Sequence, residues 1–243
     1  MDFRTFSKNL PYPEDAFGIY LTYPLWNHQG DSRNGNTYHY NGIPKITDIG
    51  NTLSHISAMI TDTFNVNFLK VCRINEFLSG TFIVPHVDYL DGCQSSEKFF
   101  RRIHIPLKTQ KESWNYYEAE VYHMQFGEIW LHDSYCCHSA GNFSSESRFH
   151  LILDVDPTIP LDDLFKDKAV FNSSHKLDPI SREPFTNSDL NNILDLAKII
   201  NHLNFKEIVS LLSKIHFYKK VSSALTYDWL EKIAKNTKNR QLI

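Results

Sequence analysis

From about Gly18 to Asp156 the chain is a succession of short segments rich in aromatic and β-branched residues. Turn-forming clusters such as Gln29-Gly-Asp-Ser-Arg-Asn-Gly-Asn36 and Gly141-Asn-Phe-Ser-Ser145 separate them. Such punctuation suits consecutive strands and leaves little room for a helical bundle. Strands are predicted over 68–77, 81–86, 99–107, 119–125, 128–132 and 148–155, which implies a closed or double-sheet β architecture, a jelly roll or barrel. One helix is expected over 47–64, where Ile49, Leu53, Ile56 and Ile60 recur at helical spacing and would pack on the outside of a sheet.

After Asp156-Pro157 the pattern changes. Leu190, Ile193, Leu194, Ala197 and Ile200 share a helical face, with Thr186 or Ser188 available as N-cap. A second helix is expected over 205–217, and a third carries Trp229, Leu230 and Ile233. The polar stretch Phe171-Asn-Ser-Ser-His-Lys-Leu-Asp-Pro179 reads as a boundary region. The expected organisation is therefore a β domain over 1–165 and an α-helical domain over 166–243. The apolar helical stripes need burial, against the β domain or in a homodimer.

Charge narrows the partners. The net charge is −3 with acids and bases interspersed, so no basic stripe follows a nucleic-acid backbone. No apolar run approaches the roughly 18 residues that a membrane span needs, and the first residues carry no apolar signal core. A cytoplasmic protein is expected. Four cysteines without a CxxC pair argue against a disulfide framework and a thiolate zinc site. The adjacent Cys136 and Cys137 are expected to be ordinary core residues.

Chemistry enters at Val84-Pro-His-Val-Asp-Tyr89. Alternate residues of an extended segment point to one side, so His86 and Asp88 would present their side chains together. Twelve histidines make such a motif ordinary: roughly one His-x-Asp is expected by chance. The motif gains weight from His138 downstream and from Arg148 ten positions later, both beside or within β-like segments. Two imidazoles and one carboxylate can occupy one face of a ferrous ion and leave other positions open. A guanidinium beyond them can hold the far carboxylate of a dicarboxylic co-substrate. Arg148 lies in the apolar run Ser147-Arg-Phe-His-Leu-Ile-Leu-Asp-Val155, and a buried guanidinium needs an anion. A bound carboxylate would serve, as would Glu146 or Asp154. In Arg101-Arg-Ile-His-Ile-Pro-Leu107, Arg102 and His104 share one strand face while Ile103, Ile105 and Leu107 take the other. His123, His132 and His150 also sit in strand-like segments and are alternative ligands. His55, His175, His202 and His216 read as structural or solvated.

These residues resemble a known family. Leu78-Ser-Gly-Thr-Phe-Ile-Val-Pro-His-Val-Asp88, Arg102-Ile-His104-Ile-Pro-Leu, Gly127-Glu-Ile-Trp-Leu, His138-Ser-Ala-Gly-Asn142 and Arg148-Phe-His-Leu-Ile-Leu-Asp154 are similar to the aspartyl/asparaginyl β-hydroxylase-like branch of iron(II)/2-oxoglutarate dioxygenases. The likeness covers about residues 68–156. With its C-terminal helices, the chain is most similar to bacterial hydroxylases of free proline, of the proline 3-hydroxylase type. The resemblance implies a double-stranded β-helix (jelly-roll, cupin-like) catalytic domain with His86, Asp88 and His138 as Fe(II) ligands. It implies that Arg148 binds the distal carboxylate of 2-oxoglutarate, and that Arg102 and His104 bind 2-oxoglutarate near the metal or reach the substrate. With O2 as second co-substrate, the reaction would hydroxylate an unactivated C–H of a small amino acid. Asp88 is present, unlike in halogenating relatives of the wider superfamily, which favours hydroxylation. Tyr89, Trp114, Tyr116, Glu118 and His132 are further candidates for the substrate pocket, the aromatic ones more often packing residues. Two other readings stay open: a hydroxylase of a peptide, protein or carrier-bound residue, and a non-catalytic cupin-like metal-binding module.

Overall fold

The structure, a computed structural model, describes residues 8–9, 16–35, 42–88, 100–167, 177–237 and 239. Tyr89, His175 and most of the 171–179 connector lie outside them. Twelve strands precede the helical unit: β1 (Lys8–Asn9), β2 (Ala16–Phe17), β3 (Tyr20–Asn27), β4 (Lys45–Ile46), β5 (Leu69–Phe77), β6 (Phe82–His86), β7 (Arg101–Lys108), β8 (Ser113–Tyr117), β9 (Glu120–Tyr122), β10 (Trp130–His132), β11 (His138–Asn142) and β12 (Arg148–Val155). They form two antiparallel sheets. The larger runs β1-β3-β5-β12-β7-β10 with β4 beside β3, and the smaller runs β2-β6-β11-β8-β9. This is the double-sheet β core expected from the strand pattern, and no helix among the described residues is long and apolar enough to cross a membrane.

Period-two alternation divides the larger sheet into two chemically different faces. Ile103 and Ile105 of β7, Leu151, Leu153 and Val155 of β12, and Cys72 and Ile74 of β5 belong to one apolar cluster with Ile49, Ile60 and Phe64. The last three lie on or just after α1 (Asp48–Thr52) and α2 (Ser54–Thr63), so the helices cover that face. The intervening residues Arg73, Asn75, Arg102, His104, Arg148, His150 and Asp154 take the opposite face. The large sheet thus has an oily outside against helices and a polar inside, which is where the chemistry collects.

The helix expected over 47–64 is interrupted at Leu53 (φ −90°, ψ 50°). The reason is its docking on β3. Thr47 donates its N–H to the Leu25 carbonyl (2.9 Å) and its hydroxyl to that of Pro24 (2.6 Å), and its side chain caps Gly50. A Cβ at Gly50 would stand 2.4 Å from the Leu25 carbonyl oxygen, so only glycine allows this approach. Beyond it the chain must turn before the second amphipathic stretch reaches the sheet.

Past residue 160 come α3 (Leu161–Leu164), β13 (Glu183–Pro184), α4 (Asn187–Asp195), α5 (Phe205–Leu212), α6 (Ile215–Tyr218), β14 (Lys219–Lys220) and α7 (Leu225–Asn236). Thr186 is the N-cap of α4, in a reciprocal capping box with Asp189. Ile193, Ala197, Ile200, Ile208, Leu212, Trp229 and Ile233 form the unit's own core. The helix expected over 205–217 is divided, because Ile208 and Leu212 serve this core whereas Phe217 packs with Tyr116 and Val121 of the smaller sheet.

Candidate metal centre

Residue 86 ends β6, residue 138 begins β11, and the two are direct Cα partners in the antiparallel ladder. Their imidazoles therefore meet side by side, with centroids 4.2 Å apart. Asp88 follows on the chain leaving β6, and its N–H donates to the Ser134 carbonyl (2.9 Å), tying that exit to the turn before β11. One ligand atom each from His86, Asp88 and His138 lies within 4.8 Å of the others. Asp88 Oδ1 is 3.3 Å from His86 Nε2 and 3.8 Å from His138 Nε2.

The backbone orients both rings. His86 Nδ1 bonds the Val84 carbonyl (2.8 Å) and His138 Nδ1 bonds that of Cys136 (2.9 Å). A carbonyl at Nδ1 requires the proton there, which puts the lone pair on Nε2, on the side of Asp88. Burial, then the neighbouring His86, brings the His138 pKa down to about 4. Burial works against ionisation of Asp88, but Arg102 and the two imidazoles outweigh it and hold the carboxyl well below its usual range. Neutral imidazole and ionised carboxylate are the protonation states a divalent cation needs, and the nitrogen and oxygen donors suit ferrous iron.

Arg102 completes the carboxylate's setting. Its Nη1 donates to Asp88 Oδ2, while Nε and Nη2 donate to the two oxygens of Asp154 (2.7 and 3.2 Å). Asp154 is fully buried and also pairs with Arg73 (3.2 Å). Holding Oδ2 leaves Oδ1 as the oxygen turned to the imidazoles. Asp154, weighed as a partner for Arg148, thus serves Arg73 and Arg102, and Glu146 pairs with Lys108 (2.8 Å). Arg148 has no carboxylate partner among the described residues.

A row of imidazoles joins the triad to Arg148. From His138 it passes to His132 (4.7 Å between centroids), His104 (5.2 Å) and His150 (5.9 Å), whose Nδ1 lies 3.2 Å from Arg148 Nη2. Burial, followed by neighbouring positive groups, holds His132, His104 and His150 well below the usual imidazole range. Arg148 itself is pushed down to about 10 by burial. Its Nη2 also donates to Asn115 Oδ1 (3.1 Å), and its guanidinium lies over the Phe77 ring. Both nitrogens of His104, His150 Nε2, Arg148 Nη1 and Asn115 Nδ2 are buried without a hydrogen-bond partner among the described residues. Such groups are costly unless something satisfies them, and a bound dicarboxylate would supply the acceptors.

The structure places other candidates elsewhere. Trp114 packs among Phe143, Phe217 and Tyr218 and donates to the Lys111 carbonyl (2.8 Å). The Tyr116 hydroxyl accepts from the Ser223 amide (3.1 Å), and Glu118 sits at a positive-φ turn between β8 and β9. Cys136 is exposed and Cys137 half-buried, which corrects their reading as core cysteines: they lie in the turn feeding β11, not on a strand. Sequence reasoning missed Asn115. Its signal was a polar residue in the apolar, alternating segment Ser113-Trp-Asn-Tyr-Tyr117, a strand that was itself not anticipated.

The chain is similar to known proteins over most of its length. The family model described as aspartyl/asparaginyl beta-hydroxylase matches residues 26–157, and that described as L-proline 3-hydroxylase, C-terminal, matches residues 162–243. The L-proline cis-4-hydroxylase of Rhizobium meliloti (strain 1021) is 30% identical over 233 residues, covering 96% of this chain and 81% of the relative. An L-proline cis-3-hydroxylase of a Streptomyces species is also 30% identical, over 245 residues, covering 96% and 80%. A solved oxidoreductase of the 2OG-Fe(II) oxygenase family from Burkholderia pseudomallei aligns over 65% of this chain and 75% of its own, at 13% identity and a TM-score of 0.42. With matches spanning both the β core and the helical unit, the chain belongs to the aspartyl/asparaginyl β-hydroxylase family, in the company of the L-proline hydroxylases.

Proposed function

We propose that the protein is an iron(II)/2-oxoglutarate-dependent dioxygenase that hydroxylates free L-proline or a closely related amino acid. The observation that carries this reading is the His86-Asp88-His138 cluster joined, through buried polar groups, to a guanidinium that among the described residues has no anionic partner. Its proline relatives supply the substrate class. His86, Asp88 and His138 would hold Fe(II). Arg148 Nη1, with Asn115 Nδ2 and His150 Nε2 beside it, would receive the distal carboxylate of 2-oxoglutarate. When bound, the iron and 2-oxoglutarate supply O2 activation and oxidation of an unactivated C–H bond, with release of succinate and CO2.

The chain's own contribution is placement. Arg102 holds Asp88 by one oxygen, so the carboxylate cannot rotate away from the imidazoles. His104, bracketed by His132 and His150, stays neutral and can donate one hydrogen bond toward an oxygen of the co-substrate. The low pKa values along the imidazole row keep further positive charge out of the site and leave Arg148 as the cation that an entering anion meets. The test is an aerobic screen of the twenty amino acids and pipecolate with Fe(II) and 2-oxoglutarate, scored by gain of one oxygen and succinate release. Proline or pipecolate is expected to turn over. Hydroxylation confined to peptides would replace this reading with a peptide hydroxylase, and metal binding without any succinate release would leave a non-catalytic module.

A further inference from the structure

Among the side chains of the helical unit that reach the smaller sheet and the turn leading into it, three touch a residue adjacent to a proposed iron ligand. The Tyr227 hydroxyl on α7 donates to the Pro85 carbonyl (2.5 Å), immediately before His86. Ser223 Oγ lies 3.3 Å from Cys137 Sγ, immediately before His138. His216 Nε2 on α6 is 2.5 Å from Ser139 Oγ, immediately after it. The last contact is buried on both sides, His216 being 1% and Ser139 2% exposed.

The ladder does not hold His138 by itself. Pairing of β11 with β6 slips between His138 and Ala140, where Val84 and Pro85 of β6 stand opposite Ser139 alone. A bulge re-aims the side chains around it and leaves local backbone less restrained. Here the restraint comes from outside the sheet. His216 takes the Ser139 hydroxyl at the bulge, and its ring packs on Tyr116, whose strand residue is the β8 partner of Ser139. The Tyr116 hydroxyl in turn accepts from the Ser223 amide (3.1 Å). Arg182 fastens the same region, donating to the His216 carbonyl (2.7 Å), the Ala119 carbonyl (2.6 Å) and Glu120 (2.9 Å). To the apolar packing of Phe217 the docking thus adds directional hydrogen bonds, three of them at residues next to the imidazoles.

We infer that the helical unit is a clasp for the metal centre, in which Tyr227 seats the chain at His86 while His216 and Ser223 seat the bulge at His138. The three are positioning residues. This assignment rests on reading His86, Asp88 and His138 as iron ligands, and the experiment separates the two. Full-length apoprotein is titrated anaerobically with Co(II), following its ligand-field absorption and dissociation constant, for wild type, Asp88→Ala, Tyr227→Phe, His216→Gln and Ile193→Val. Tyr227→Phe keeps a ring that is half exposed and removes only the hydroxyl, so it yields folded protein even if His216→Gln does not. Tyr227→Phe and His216→Gln are expected to weaken Co(II) binding about tenfold, the low end of losses for groups that orient ligands, and to alter the absorption band. Ile193→Val, in the helical core away from the clasp, is expected to lower Tm by about 2–4 °C and leave affinity and band unchanged. Clasp variants that bind Co(II) as wild type does, with the same band, overturn the inference. So does an Ile193→Val variant that changes both as much as they do. Co(II) binding undiminished in Asp88→Ala overturns the ligand reading itself, and the clasp with it.

Discussion

Replacing Arg148 by Met separates what this residue does for folding from what it does for binding. Burial moves its pKa from the ordinary 12.5 to about 10, a displacement worth about 3 kcal/mol against the charged form. Both values lie above neutral, so this penalty applies in full at pH 7. Met removes it while keeping the volume beside Phe77. It also removes the bonds to Asn115 and His150 and the cation–π contact, together worth about 2 kcal/mol. The two sums nearly cancel, so the apoprotein should unfold in urea within about 1 kcal/mol of wild type. Breaking a matched buried ion pair would instead cost about 3–5 kcal/mol. Binding should respond quite differently. Truncating one side of a buried charge pair costs about 2–5 kcal/mol, so 2-oxoglutarate affinity should fall at least about thirtyfold. Calorimetric titration of the anaerobic Mn(II) protein with 2-oxoglutarate, beside urea melts of the apoprotein, checks both. An apoprotein destabilised by more than 3 kcal/mol would make Arg148 a structural residue, and unchanged affinity would remove it from the co-substrate site.

Arg102→Leu strips Asp88 of its guanidinium and leaves fully buried Asp154 with Arg73 as its one ion-pair partner among the described residues. A loss of about 3 kcal/mol in urea is expected, and a loss under 1 kcal/mol would refute the bridging role. Asn142 is fully buried, donates to the Phe77 and Glu146 carbonyls (2.9 and 2.7 Å) and accepts from Ser113 and Ser144 (3.1 and 2.7 Å). Asn142→Ala strands those groups and should cost about 3 kcal/mol by the same measurement. Acid stability supplies a further check. Burial, then Arg182, brings the His216 pKa down from 6.5 to about 3. The unfolded chain therefore binds the proton first, and stability falls as pH drops below about 6.5, by about 2 kcal/mol between pH 7 and 5 for this group. His216→Gln should flatten the pH dependence of the urea midpoint by that amount over the interval, and an unchanged slope would count against a neutral buried imidazole.

Local pattern carried much of this architecture. Alternation around Arg102 and His104 set them on the face opposite Ile103 and Ile105, as the apolar cluster bears out. Strands beginning near residues 69, 82, 101 and 148 were legible because β-branched and aromatic residues bunch there. Three of the strands of five residues or more were not, nor were the two-residue strands. Of these, β11 spells His-Ser-Ala-Gly-Asn, a poor strand former stabilised by neighbours on both sides. The partnership of His86 with His138 belongs to sheet pairing between distant segments, which periodicity does not encode. The same holds for Asp154, whose choice of Arg73 and Arg102 over Arg148 follows from which strands flank β12. The clasp was illegible for another reason: Tyr227 and His216 look like ordinary helix residues, and Ser223 like an ordinary turn residue, until the unit is docked.

The position of β12 has a consequence for how the molecule is assembled. It comes last in the β core yet lies between β5 and β7, with Asp154 opposite Val71 on one side and Arg102 on the other. Without it, β5 and β7 would be two open edges of one unfinished sheet, the kind of surface that pairs promiscuously. Each edge carries an arginine, Arg73 and Arg102, and like charges resist the premature closure of those edges upon each other. Asp154 turns that repulsion into attraction when it enters between them. The anion is a keystone: it ties the two cationic edges together, and in doing so it fixes the guanidinium that steadies Asp88.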